Sequence, residues 1–300
     1  MKVTTMREAI GSLVADGDTV ALEGFTHLIS FAAAHELTRQ ERRRLTLSRL
    51  TPDLVADMLV AAGVVDRLVF SWLGNPGVGS LHAVRRRIEA GSLEWEEYTH
   101  FAMVARYQAG AAGLPFLPIR SFTGSDLPAV NPALRRIADP YGGEDVWVVP
   151  ALTPDVAIVA VQRADPDGNA QVWGLLGCQR EAAFAARRVI VVCEELVDPD
   201  VVRRDPNRTI IPGLKVDAVV VEPGGCHPSF AQGYYDRDNA FYLEWDEISR
   251  DPGRLEGWLD QWVRSTDDHR AYLARLGERW ERLAPARSAP SGEVDYGWYT

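Results

Sequence analysis

At three places in this 300-residue sequence, a short apolar run opens into a loop whose residues could bind a carbonyl or carboxylate group. The first is Glu23-Gly24-Phe25-Thr26-His27. A glycine directly after a strand lets backbone approach a ligand, and Glu23, Thr26 and His27 bring polar groups to the same edge. The second is Gly74-Asn75-Pro76-Gly77-Val78-Gly79-Ser80. Three glycines ahead of a helix can turn backbone N–H groups toward an anion, helped by the helix dipole. The third is Gly124-Ser125-Asp126-Leu127-Pro128, with Asn131-Pro132 just beyond. It offers the Ser125 hydroxyl and backbone N–H groups to an oxygen that gains charge. Each of the three can also be read as an ordinary turn.

Other chemistries find less support. The sequence has no Gly-x-Ser-x-Gly elbow, no His-Glu-x-x-His pair and no Gly-Lys-Ser/Thr phosphate loop. No metal site and no permanently bound cofactor are expected. His227 sits in Gly224-Gly225-Cys226-His227-Pro228-Ser229, a stiff loop read as structural or as part of an intersubunit contact. Glu194 and Glu195 are adjacent like charges after an apolar run. They are expected to receive an arginine such as Arg203 or Arg204 rather than to move protons.

The elements that must hold these loops follow a repeated grammar. Thr19-Val20-Ala21-Leu22, Leu45-Thr46-Leu47-Ser48 and Leu68-Val69-Phe70-Ser71-Trp72 each run into a glycine- or proline-marked loop. Further apolar runs lie at Val146 to Val149, Val156 to Val161, Val189 to Cys193 and Ala218 to Val221. Runs apolar on both faces suit strands buried between helical layers. Helices are expected over Met6 to Val14, Leu54 to Ala62, Ser80 to Ala90 and Thr99 to Ala112, each closed by a nearby glycine. Strand and helix alternating at this spacing imply right-handed crossovers. The expected fold is α/β, a three-layer αβα open and mostly parallel sheet. Phe241, Trp245, Trp258, Trp262 and Trp280 stand at helical spacings, so C-terminal helices should cover the sheet or a partner. One domain is expected over residues 1–283, followed by a Pro/Ser/Ala-rich tail over 284–300.

Composition narrows the partners. With 46% hydrophobic and 25% charged residues, the chain has the balance of a folded globular protein. A net charge of −10 argues against nucleic-acid binding, which needs a basic surface to displace counterions. The apolar runs are far below the roughly 18 residues that span a bilayer. Met1 to Glu8 has no apolar secretory core, so no membrane or export role is expected. Cys178, Cys193 and Cys226 have neither disulfide-framework nor zinc spacing, which suits a reduced, cytoplasmic location. Lys2 and Lys215 are the only lysines, so a lysine-dependent mechanism has two candidates.

From about Met6 to Leu276 the chain resembles the A-type (alpha) subunits of the family I CoA-transferases, the glutaconate and 3-oxoadipate type. The resemblance rests on Asp16-Gly17-Asp18 with Ala21 to Thr26, on Gly74 to Ser80, and on Gly113 to Pro118. It continues through Gly124 to Pro128, Ala164 to Asn169, Pro223 to Ser229 and Gly233 to Phe241. The family pattern has two glycines before the phenylalanine. Here Glu23 replaces the first of them, and His27-Leu28-Ile29-Ser30-Phe31 replaces a Gly-x-Pro end, a form that favours the 3-oxoadipate branch.

This resemblance implies a CoA-transferase (NagB-like) fold and a CoA thioester as substrate rather than cofactor. It implies an attacking glutamate supplied by a separate B-type subunit, an α2β2 heterotetramer, and acyl-CoA and dicarboxylate substrates such as succinyl-CoA and 3-oxoadipate or glutaconate. No catalytic nucleophile is then expected in this chain. Its expected pocket residues are Glu23, Gly24, Phe25, Thr26, His27, Asn75, Gly77, Val78, Gly79, Ser80, Gly124, Ser125 and Asp126. Other readings keep the fold but make water the acceptor, or decarboxylate the thioester, or leave this chain a scaffold. Glu23 as a nucleophile in its own right is a minor alternative. A ribose-phosphate isomerase is disfavoured, because Lys2 and Lys215 are badly placed for it.

Overall fold

Alternation of strand and helix along the chain builds one long, twisted sheet between helices. The computed structural model describes residues 2–283, so the tail expected over 284–300 lies outside the described residues. The first half runs β1 (Val3–Thr4), α1 (Met6–Leu13), β2 (Thr19–Glu23), α2 (Phe31–Arg39), β3 (Leu45–Ser48) and α3 (Leu54–Ala61). It continues with β4 (Val65–Phe70), α4 (His82–Glu89), β5 (Glu94–Glu97) and α5 (His100–Ala111). Local chemistry sets the helix starts. The Thr5 hydroxyl and the Glu8 carboxylate form a reciprocal capping box on α1. The side chains of Asp53 and Thr99 cap α3 and α5 by accepting backbone N–H groups.

Next comes a small excursion: β6 (Phe116–Ile119), α6 (Leu127–Val130), β7 (Arg135–Ile137) and β8 (Val146–Pro150). The expectation for residues 146–149, a strand between helical layers, is corrected here. β8 is the middle of a separate three-stranded antiparallel sheet, β6-β8-β7. Its apolar run packs inward on α5 and leaves its partner β7 exposed.

The chain then returns through β9 (Val156–Ala164), β10 (Ala170–Gln171), α7 (Gln179–Ala185), β11 (Arg188–Leu196), α8 (Pro199–Arg204), β12 (Thr209–Ile211) and β13 (Ala218–Val221). Along the main sheet the order is β1-β13-β11-β9-β2-β3-β4-β5, every neighbouring pair on that path being parallel. The short β10 and β12 attach antiparallel beyond β9. Strands β2 to β5 spread to one side of β2 and β9 to β13 to the other. The order therefore reverses at the β2/β9 boundary, the place where an open α/β sheet forms a crevice at its carboxyl edge.

The period-2 alternation of strands sorts the core into two faces. Val20, Leu22, Val156 and Ile158 pack on one, and Ala21, Ala157 and Val159 on the other. α9 (Asn239–Arg250), α10 (Pro252–Leu259), α11 (His269–Leu276) and α12 (Glu278–Leu283) end the described chain. Phe241, Tyr242, Trp245 and Trp258 join the first face, as expected of helices that cover the sheet. Trp245 is fully buried, with Trp258 edge-on at 5.0 Å between ring centroids.

Candidate active site

At the carboxyl edge beside the sheet's reversal point, the loops after β2, β3 and β4 and the start of α5 enclose a cleft of about 290 Å3. Phe25, Trp72 and Pro76 form its apolar walls. Thr26, Thr51, Asp53 and His100 supply its polar lining. The volume sits at the low end of ligand clefts, about 300–1,000 Å3.

The loop after β2 folds back sharply. A Cβ on Gly24 would stand 2.4 Å from the Leu28 carbonyl oxygen, so only glycine fits there. Thr26 and Leu28 both hold φ of +54°, costly for non-glycine residues at about 1–3 kcal/mol each. Surrounding bonds keep them in place. The Ser229 hydroxyl donates to Thr26 O (2.7 Å), and the Leu28 N–H donates to Phe230 O (3.0 Å). His27, fully buried against Phe230, is part of the same clamp. Its Nε2 accepts the Gln232 N–H (3.1 Å) and its Nδ1 bonds Leu175 O (2.9 Å), which identifies the neutral Nδ1–H tautomer. Burial holds its pKa down at about 4. The ring thus positions the loop and does not line the cleft.

Glu23 also turns inward, with 2% of its surface exposed. Its Oε1 accepts the Leu50 N–H (3.0 Å) and the Tyr107 hydroxyl (2.9 Å), and the Ser48 hydroxyl bonds Tyr107 in turn (2.7 Å). Burial raises its pKa, opposed by the Arg49 charge. Phe25 and Thr26 are therefore the side chains of this loop that reach the cleft.

The glycine loop closes on itself. The Asn75 N–H donates to Gly79 O, and the N–H groups of Val78 and Gly79 return to Asn75 O. Asn75 Nδ2 donates to Tyr242 O (2.8 Å), anchoring the loop to α9. The expected anion cradle at the start of α4 is filled by protein: the N–H groups of Ala83 and Val84 donate to the buried carboxylate of Asp57 at 2.8 and 2.9 Å. Gly79 and Ser80 line a separate hollow along α4. Gly77 is exposed and Val78 partly buried, and neither lines the cleft. Pro76 is the part of this loop that does.

The third loop stands next to the cleft rather than in it. Asn131 Nδ2 donates to Glu97 O (2.8 Å), and Ser121 bonds the α5 cap Thr99 (2.8 Å). Ser125 Oγ accepts the Leu127 N–H (3.2 Å), Gly124 takes a left-handed turn with φ of +77°, and Asp126 is exposed.

Thr51, Asp53, Trp72 and His100 line the cleft and do not stand among the expected pocket residues. All follow strand ends, so the carboxyl-edge rule could have found them. The rule could not indicate which of many loop residues face one another. Beneath them lies Arg49, fully buried, donating to Leu22 O (2.6 Å) and Thr51 O (3.1 Å) and pairing with Asp53 at 3.4 Å.

The acidic pair receives an arginine as expected, but from Arg163 rather than Arg203 or Arg204, and His227 takes the structural of its two readings. Glu195 accepts Tyr234 (2.7 Å) and Arg163 (3.3 Å), and Glu194 accepts Tyr235 (2.5 Å) and the Gly224 N–H (2.7 Å). Arg203 instead pairs with its helix neighbour Asp200, because it sits on α8 beyond the sheet edge. His227 is structural: fully buried, it joins Tyr272 (2.8 Å) of α11 to Asp238 (3.0 Å), the cap of α9.

Residues 3–222 match the family model described as coenzyme A transferase. The chain is 49% identical, over 92% of its length and 99% of the relative's, to the A-type subunit of 3-oxoadipate CoA-transferase from Pseudomonas knackmussii. It is 36% identical to the A-type subunit of glutaconate CoA-transferase from Acidaminococcus fermentans, with 92% of each chain covered. The crystal structure of glutaconate coenzyme A-transferase from Acidaminococcus fermentans superimposes with a TM-score of 0.91 at 34% identity, covering 98% of both chains. The chain belongs to the coenzyme A transferase family, among its A-type subunits.

Proposed function

We propose, from that membership, that this chain supplies one wall of a composite active site that moves CoA from an acyl-CoA to a free carboxylic acid. The acids are of the 3-oxoadipate or glutaconate kind, with succinyl-CoA as donor, and the second wall comes from a B-type subunit in an α2β2 assembly. The supporting observation is that the cleft is apolar-walled and that the carboxylate lining it, Asp53, is already committed within the protein. Asp53 caps α3 and is ion-paired, Glu23 is turned into the core, and Cys178, close behind Glu23, has its thiol pKa pushed far up by burial.

In this reading a glutamate carboxylate of the B-type subunit attacks the thioester carbonyl, forming an acyl–glutamyl anhydride and releasing CoA thiolate. The thiolate attacks the glutamyl carbonyl, giving a protein-bound CoA thioester and the free acid. An incoming carboxylate then reverses the sequence, so CoA leaves on the new acid and the glutamate is regenerated. Phe25, Trp72 and Pro76 hold the acyl chain and keep water from the anhydride. The clamped 23–28 loop keeps that wall in place during both transfers. Phe25, Thr26 and Pro76 form the near side of the pocket, Gly24 and the rest of the Asn75–Ser80 loop hold them in place, and Gly124 to Asp126 flank it.

Co-expression with the B-type subunit tests this. CoA exchange between succinyl-CoA and a panel of dicarboxylates should follow ping-pong kinetics, and this chain alone should be silent. Thioester loss to water with failure of every acceptor would overturn the transferase reading, as would robust turnover by the lone chain.

A further inference from the structure

We infer that His100 reads the acyl group, holding the carboxylate at the end remote from the thioester, so that this cleft selects dicarboxylic over monocarboxylic acyl chains. The inference rests on the proposed function and deepens it.

Two ionisable side chains line the cleft, Asp53 and His100. Asp53 has its oxygens engaged: Oδ1 accepts the Val55 N–H (3.1 Å) and Oδ2 faces the buried Arg49 guanidinium (3.4 Å). Its charge is balanced inside the protein, so it neither attracts nor strongly repels a ligand. His100 is different in kind. It is exposed at the first position of the 12-residue α5, with Thr99 as the cap beneath it. An imidazole presents a ring N–H donor in its neutral and its protonated form. At the start of a helix it stands where the dipole favours negative charge.

The other walls fit the rest of such a ligand. Phe25, Trp72 and Pro76 offer apolar surface for a methylene spacer. The Trp72 ring is kept against the loop because Gly74 has no Cβ: one placed there would lie 2.6 Å from the ring. An apolar trough with a ring N–H donor at one side that no hydrogen bond engages among the described residues matches a short chain ending in a carboxylate. It fits poorly with a sugar phosphate, which would require several donors.

The test uses the assembled two-subunit complex with H100L and H100Q, both surface changes. It compares six-carbon ligands, adipate against hexanoate, by KM where they are acceptors and by inhibition constant where they are not. One hydrogen bond to a charged group implies that H100L lowers the adipate-to-hexanoate preference about 10- to 100-fold. H100Q, which keeps an N–H donor, should retain most of it. An unchanged preference in H100L, or equal loss for both ligands, would overturn the assignment. If the wild-type complex transfers CoA to no acid, the transferase reading falls first and the two failures are told apart.

Discussion

The indole N–H of Trp245 donates to Asp57 Oδ2 at 3.0 Å, tying α9 to α3 through a fully buried carboxylate. The other oxygen, Oδ1, receives the Ala83 and Val84 N–H groups in the first turn of α4. One side chain therefore locks three helices over the same face of the sheet. Burial raises the pKa of this carboxyl, and the hydrogen bonds oppose the rise. Replacing Asp57 with Ala leaves three buried donors unpaired, with an expected loss of about 3 kcal/mol or more. Asn can still accept from Ala83 and Val84 but not from Trp245, so D57N should lose about 1–2 kcal/mol. Urea midpoints of the two variants check the order.

Arg49 and Asp53 form the floor of the cleft. Arg49→Leu removes a guanidinium that serves two carbonyl oxygens and balances a buried carboxylate. Breaking such a pair from one side costs about 3–5 kcal/mol. The double variant R49L/D53N should recover part of the loss, since the uncompensated charge is gone. No recovery in a double-mutant cycle would mean that the carbonyl bonds, rather than the ion pair, account for Arg49.

Two buried groups make stability depend on pH in opposite senses. Glu194 has its pKa raised from 4.5 to about 7, chiefly by burial. The folded state keeps that proton longer, so this contribution is present below pH 4.5 and is lost as pH rises toward 7. His27 has its pKa lowered from 6.5 to about 4 by burial. Its contribution is present above pH 6.5 and is lost as pH falls toward 4. Relative to E194Q, the wild type should lose about 3 kcal/mol between pH 4.5 and pH 8. Relative to H27Q, it should lose about 2 kcal/mol between pH 7 and pH 5. Denaturation of the three proteins across pH 4.5–8 measures both slopes, and a flat difference for either variant removes that residue from the account.

Gly74→Ala is backbone-compatible but puts a methyl group 2.6 Å from the Trp72 ring. Trp72 is 40% exposed, so the ring can swing away at little cost in stability. Moving a wall of the cleft by about 1 Å is expected to lower kcat/KM in the two-subunit complex roughly 10- to 100-fold. Unchanged kinetics would place Trp72 outside the working pocket.

Much of this architecture is legible along the chain because its causes are local. Thr5 with Glu8, Pro52 with Asp53, and Thr99 announce helix starts within four residues of sequence, and the apolar runs ending at Glu23, Ser48 and Phe70 announce buried parallel strands. The motif set from Asp16 to Phe241 likewise identified the family, since glycine and proline positions record backbone shapes. Tertiary structure alone decided which side chains meet. Glu23 and His27 look like ligand groups until Tyr107, 84 residues away, and Gln232, 205 residues away, claim them. The helix start after Gly79 looks like an anion site until Asp57 fills it from α3. Conversely, His100 and Trp72 become neighbours of one cleft only because β2, β3, β4 and β5 pair side by side. Sequence periodicity specifies a buried strand and its two faces, but the order of strands and the direction of the last side chain depend on hydrogen bonds between distant segments.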